Sequence, residues 1–275
     1  MENRGLELSL QYRDRAGDFR YSLGGNIAFV STEVLSLGAG GEPIVTGNVF
    51  SAGNVSRTEV GHPIGAFYGY VTDGIFQNTE EIAAHAFQNE STAPGDIRFR
   101  DLNADGIINE NDRTFIGDPT PDFSYGITAD VQFKGFDLGI FVQGTQGNDI
   151  YNGIFRYDFF YTNRPQSSLE RWRGPGTSNS EPRVNLNDPN FNARASTRFV
   201  EDGSYLRIKN LQLGYSLPQN LLNKMHLQKF RIYVAAQNLL TITDYSGLDP
   251  EIGTVGGALE LGIDQGFYPQ SRIFL

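Results

Sequence analysis

The stretch Glu201-Asp202-Gly203-Ser204-Tyr205-Leu206-Arg207-Ile208-Lys209-Asn210-Leu211-Gln212-Leu213-Gly214-Tyr215-Ser216-Leu217-Pro218 decides the fold. From Leu211 it alternates: Leu211, Leu213, Tyr215 and Leu217 fall on one side, Gln212, Gly214 and Ser216 on the other. A period of two with one apolar face is a β-strand. The pattern recurs on both sides of this stretch. It is carried by Leu6, Leu8, Leu10 and Tyr12 in 5–13, by Phe19, Tyr21, Leu23, Ile27 and Phe29 in 18–31, and by Phe123, Tyr125, Ile127, Ala129, Val131 and Phe133 in 123–133. Phe136, Leu138, Ile140 and Val142 continue it, as do Phe230, Ile232, Val234 and Ala236 in 229–238, and a further strand begins near Ser271. Segments of this length, apolar on one side and polar on the other, are what a strand between lipid and a polar lumen requires. The expected fold class is therefore all-β: a partial antiparallel transmembrane β-barrel of about six strands plus a stub, with long extracellular loops.

The connections support this. Those at 14–17, 134–135 and 218–228 are short, and those at 32–122, 146–203 and 239–270 are long. Outer-membrane barrels have short periplasmic turns and long external loops, whereas a compact soluble domain rarely carries such long structureless connections. Tyr12 and Phe19, Phe133 and Phe136, and Tyr215 and Phe230 flank the three short turns, as an interfacial aromatic girdle demands. One feature conflicts: Arg207 and Lys209 share the parity of Leu211. Either that end of the strand projects beyond the membrane, or a bulge near Asn210 changes the frame. Short helices are expected after Asn78 or Thr79, over 166–172 and over 218–225.

Composition narrows function. The 275 residues carry a net charge of −10 and no cysteine. An acidic balance disfavours nucleic acid as a partner, and the missing thiols exclude disulfides and thiolate chemistry. No apolar run is long enough for a transmembrane helix. His62, His85 and His226 are scattered without a metalloprotease or triad context, so no catalytic site is expected. Gly253, Gly256 and Gly257 do not lead from a strand into a helix, which argues against a nucleotide loop. Trp172, Tyr157, Phe159, Phe160 and Tyr161 suit packing within a loop better than stacking on a sugar.

One stretch carries a metal pattern. Asp101, Asn103 and Asp105, then Gly106, Ile107 and Ile108, and finally Asp112 match the spacing of an EF-hand calcium loop, with Asp in place of Glu at the last position. Asp101, Asn103, Asp105 and Asp112 would give side-chain oxygens and Ile107 its carbonyl to a structural Ca2+. The competing reading is an Asx-rich surface turn.

Further stretches resemble a known family. Pro63 through Gln77, Pro94-Gly95-Asp96-Ile97, Ile116-Gly117-Asp118-Pro119-Thr120-Pro121 and Tyr125-Gly126 are similar to hallmarks of the SusC/RagA family of TonB-dependent outer-membrane transporters. Arg171-Trp172, Gly174-Pro175-Gly176-Thr177, Pro182-Arg183, Gln237-Asn238-Leu239 and Tyr245 through Pro250 follow in family order. The resemblance spans 1–275. It implies the C-terminal part of a large barrel of about 22 strands around a plug, with the plug, the TonB box and the first strands lying upstream of residue 1. It also implies location in the cell outer membrane among its lipids, a SusD-like lipoprotein partner, energy from TonB, and a glycan or peptide substrate. The alternative from another class is a soluble, calcium-stabilised carbohydrate-binding β-protein.

Overall fold

A computed structural model describes residues 1–50, 52–154, 165–185, 187–254, 256–266 and 272–274. Strands β1 (Glu2–Ala16) and β2 (Phe19–Glu33) come first. The first long segment then holds β3 (Ile44–Val49), β4 (Gly53–Thr58), β5 (Ala66–Tyr70), β6 (Thr72–Ile75), α1 (Thr79–Ala84), β7 (Ile97–Phe99) and β8 (Arg113–Gly117). The hairpin β9 (Phe123–Phe133) and β10 (Phe136–Gln146) follows. The second long segment contributes β11 (Asp149–Asn152) and β12 (Val200–Asp202). Then come β13 (Tyr205–Ser216), α2 (Gln219–Lys224) and β14 (Arg231–Thr243), and finally β15 (Ile263–Asp264) and β16 (Arg272–Phe274).

One seven-stranded sheet runs β1-β2-β9-β10-β13-β14-β16, with every neighbouring pair antiparallel. Its registers align the apolar residues of each strand on one face. Tyr12 faces Leu23, Leu23 faces Ala129, Ala129 faces Ile140, and Ile140 faces Leu211. This face is bare: Leu6, Leu8, Leu10, Leu23, Ile127, Leu213 and Ile232 are all exposed. The 15 residues of β1 rise about 50 Å, or about 36 Å when tilted by 45°, so its ends overshoot an apolar band of about 25 Å.

The turn expected at 14–17 is displaced. Pairing continues through Asp14↔Tyr21 and Ala16↔Phe19, which leaves Gly17 and Asp18 as the turn. Alternation fades at 14–16 because those residues lie past the apolar band, whereas the backbone ladder continues regardless of side-chain polarity. Gly17, at φ +63°, takes the first central position that favours glycine in a two-residue hairpin. The Lys134-Gly135 turn is as expected, with positive φ at both residues. Around these turns the aromatic rings meet, with centroids 6.2 Å apart for Phe19 and Phe133 and 4.5 Å for Phe136 and Tyr215.

The charge conflict in β13 is resolved by a bulge. Asn210 pairs with Phe141 and Ile208 with Val142, so Lys209 is the extra residue. One inserted residue reverses parity. Ile208 therefore joins the apolar face and Arg207 turns to the polar one, where it is 2% exposed.

The long segments are not structureless. They form a four-stranded sheet β3-β4-β5-β8, a three-stranded sheet β12-β11-β15 and the pair β6-β7. The main hydrophobic core sits here and draws on all three segments: Val49, Val55 and Phe67 from the first, Tyr151, Ala195 and Phe199 from the second, and Ile263 from the third. Strand β11 bonds in parallel to β15, which joins the second segment to the third. The expected helices are present: α1 is capped by the Asn78 side chain accepting from the Glu81 N–H, a 3-10 turn covers Gln166–Glu170, and α2 follows Pro218.

Candidate functional site

The polar face of the sheet carries charge in compensated pairs. Arg231 Nε and Nη2 donate to the two Asp137 oxygens at 3.0 and 2.5 Å. The guanidinium reaches across Gly214, where a Cβ would lie 2.5 Å from Arg231 Nη2 and 2.6 Å from Asp137 Oδ1. Glycine is needed there for close approach. The Ser22 hydroxyl donates to Asp130 at 3.1 Å.

Higher on the same face, the β13 bulge brings Arg207 and Lys209 onto the third long segment. Arg207 Nε donates to Thr241 Oγ1 at 2.8 Å, Nη1 donates to Glu251 Oε2 at 2.6 Å, and Nη2 bonds Asp249 Oδ1. Lys209 Nζ reaches Glu251 Oε2 at 2.8 Å. The residues that conflicted with a lipid-facing strand thus tether a loop to the wall. Their parity was the only sequence signal. Asp249 and Glu251 lie in the Tyr245-to-Pro250 stretch or just beyond it, and nothing in their spacing linked them to Arg207.

The family-like stretches in the loops do structural work. Asp96, fully buried, accepts from Arg183 Nε at 2.8 Å and Nη2 at 2.9 Å, and from Asn192 Nδ2 at 3.1 Å. Hydrogen bonding to Asp96 raises the pKa of Arg183. Trp172 donates to Gln77 Oε1 at 3.1 Å and lies against Gly95, whose added Cβ would meet the indole at 2.5 Å. Trp172 is therefore packed, as expected; Tyr157, Phe159, Phe160 and Tyr161 lie outside the described residues. Within the loop core the Tyr245 hydroxyl donates to Asp264 at 2.6 Å, and burial drives the Tyr245 pKa up. Burial likewise raises Asp118 and Asp149, which adjoin through the Asp118 N–H donating to Asp149 Oδ2 at 2.8 Å.

The Asp-rich loop is ordered by its own oxygens. Asp101 accepts from the Ala104 and Gly106 N–H groups at 2.7 and 2.9 Å. Asn103 accepts from Asp105 N–H at 3.0 Å, and Asp105 from Ile107 N–H at 2.9 Å. The side-chain hydrogen bond from Asn103 holds Asp105 below the usual carboxylate range. Asp112, fully buried, accepts from Leu102 and Asn109 N–H groups at 2.9 and 2.8 Å. Ile108 packs into a second core with Tyr70, Ile97 and Phe99. Among the described residues no three His, Cys, Asp or Glu side chains gather as a metal set, Asp101, Asp105 and Asp112 included. The histidines are dispersed: His62 stacks on Phe115 at 3.7 Å, His85 meets the edge of Phe76, and His226 sits in the turn after α2.

No protein-family model matches the chain. Individual proteins do. TonB-dependent receptor P3 of Formosa agariphila is 34% identical over 283 residues, covering 100% of this chain and 28% of the receptor. The TonB-dependent receptor SusC of Bacteroides thetaiotaomicron is 28% identical over 285 residues, covering 100% of this chain and 26% of the receptor. The fold matches the RagAB peptide transporter at a TM-score of 0.74 and 23% identity, over 98% of this chain and 28% of that one. In sequence and fold the chain matches one part of the SusC-type TonB-dependent receptors. It spans under a third of the length of the curated relatives it matches. For a segment of such a receptor, the bare apolar face, the polar face and the three interlocked loops are the lipid side, the lumen side and one rim of a barrel wall. The relatives are named as receptors and importers.

Proposed function

We propose that this chain serves in an outer-membrane receptor that imports oligosaccharides or peptides, working with a SusD-like lipoprotein and powered through TonB. The observation that carries this reading is the continuous exposed apolar face of the seven-stranded sheet, backed by a polar face and topped at one end by long folded loops. A soluble carbohydrate-binding protein would bury that face, because contiguous apolar patches of this extent are rare on soluble surfaces. The loop end faces outward, where a lipoprotein lid and cargo would meet it, and the short turns face the periplasm. The receptor acts by binding and translocation, not by catalysis. The Asp101-to-Asp112 loop holds calcium as a structural ion in the first long segment, with Asp101, Asn103, Asp105, Ile107 and Asp112 as donors.

The test is uptake in cells lacking the full-length receptor. Labelled oligosaccharide and peptide pools are offered before and after the gene is restored, with and without a protonophore. Restoration of energy-dependent uptake of one pool supports the reading. Equal uptake in all cells refutes it.

A further inference from the structure

An open cleft of about 550 Å3 lies between β5, the Glu110–Asp112 turn and the 188–195 segment. Two guanidinium groups line it, in a chain whose acidic residues outnumber basic ones by 32 to 22. Arg113 is partly committed: Nη1 pairs with Glu110 at 3.0 Å, and Nη2 donates to the Asn54 and Tyr68 carbonyls at 3.4 and 3.3 Å. Its Nε is buried without a partner among the described residues.

Arg194 is held differently. Its Cζ lies 4.5 Å from the Phe99 ring centroid, 5.0 Å from Tyr70 and 5.6 Å from Phe191. Nε donates to the Phe191 carbonyl at 3.0 Å and Nη2 to the Asn190 carbonyl at 2.7 Å. Among the described residues no carboxylate stands within ion-pair distance of it, although burial disfavours its charge. A guanidinium stays ionised in proteins, so this charge is partly desolvated, with Asp188 and Glu110 acting on it only from beyond ion-pair distance.

The neighbouring backbone is strained to present a ring at the same lip. Phe191 has φ +55° and is 61% exposed. A left-handed conformation is unusual for a bulky side chain and persists only where its surroundings enforce it. Here the Asp188 carboxylate enforces it by accepting from the Asn192 and Ala193 N–H groups at 2.8 and 2.9 Å.

We propose that this cleft binds an acidic glycan, seating a uronate carboxylate on Arg194 and the C–H face of the same sugar on Phe191. This deepens the uptake reading and rests on it. A sugar ring bearing its own carboxylate presents an anion and an apolar face a few ångströms apart, the scale of the separation between Arg194 and Phe191. A peptide carboxylate brings the anion without the flat face. Glu110, whose side chain is 81% exposed, competes for Arg113 and limits the positive charge of the cleft.

The experiment is calorimetric titration of the full-length receptor with oligogalacturonate, oligoguluronate and oligoglucuronate. Carboxyl-reduced forms of each and oligoglutamate serve as comparisons. At least one uronate oligomer binds, and its reduced form binds about 10–100-fold more weakly. Arg194→Gln loses a similar factor, and Arg194→Lys less. Glu110→Gln tightens uronate binding several-fold; this exposed position keeps the test valid if the Arg194 variants fail to fold. Binding of no uronate oligomer, equal binding of acidic and reduced forms, preference for oligoglutamate, or no response to Glu110→Gln would each overturn the proposal. Energy-dependent uptake of other cargo by the same receptor would then leave the transport reading standing, whereas loss of all uptake would remove that reading instead.

Discussion

Removing the Arg207 guanidinium should free the third long segment from the barrel wall. In Arg207→Ala, Asp249 keeps, among the described residues, only the Glu251 N–H donating at 2.9 Å to its Oδ1, while remaining 8% exposed. Glu251 fares better, since Lys209 still reaches it and its side chain is 37% exposed. Breaking one side of a buried ion pair costs about 3–5 kcal/mol. The surviving contacts place this case near the lower bound, at about 3 kcal/mol. The segment can escape by opening locally, so that cost appears as a roughly 100-fold increase in its open population. Hydrogen exchange on the full-length receptor in detergent reads it directly: amides at 245–254 should exchange about 100-fold faster, with the β9–β10 hairpin unchanged. A double-mutant cycle with Asp249→Ala isolates the pair, and the second substitution should add little once Arg207 is gone. Unchanged exchange at 245–254, or full additivity of the two substitutions, would refute the tether.

Four further outcomes are expected. Gly214→Ala forces a methyl group between Arg231 and Asp137 and should destabilise the wall by about 1–3 kcal/mol, seen as a lower urea midpoint. Gly139→Ala, whose Cβ meets only Asp130 Oδ1 at 3.3 Å, should cost less. Purified full-length receptor should contain calcium by elemental analysis, and Asp105→Ala should lower that content and open 34–122 to protease; no calcium, with chelator leaving cleavage unchanged, counts against the loop. Asp118 and Asp149 have raised folded pKa values, so their contribution to stability is present in acid, below the ordinary carboxylate value of about 3.9, and is lost as pH rises through the raised values. Asp149→Asn should flatten that part of the melting-temperature profile, and an unaltered profile would show that burial there is not the cause. On intact cells a thiol reagent should modify Asn187→Cys and spare Lys134→Cys, and the reverse would invert the orientation.

The wall was legible in the sequence because burial on one side imposes a period of two on every strand. Even its defect was visible: Arg207 and Lys209 fell on the wrong parity, and the bulge at Lys209 is the physical answer. The turn at Gly17 was misplaced because the backbone ladder outlasts the apolar pattern that reveals it. The loop body was not legible. Its core joins Val55, Tyr151 and Ile263, each from a different long segment, and no local periodicity encodes such contacts. The Asp101-to-Asp112 spacing could be read, but not the backbone N–H groups that occupy Asp101, Asp105 and Asp112. Arg194 and Phe191 gave no signal, since neither belongs to a motif and their meeting depends on the Asp188 turn.

This division bears on what family resemblance can say about cargo. A lipid-facing wall asks of its outer residues only that they be apolar and in register, so many sequences satisfy it. The loop body asks for particular side chains: Asp96 needs the fork of Arg183, and Trp172 needs the missing side chain of Gly95 and the amide of Gln77. The stretches that make this chain resemble its relatives lie largely on that list. They specify how three long loops fold into one body at the rim of a barrel. Cargo selection must then come from side chains the body displays but does not need for its own packing. By that criterion Glu110, and the exposed ring of Phe191 beside the partly desolvated guanidinium of Arg194, are better places to look for specificity than any of the hallmark residues.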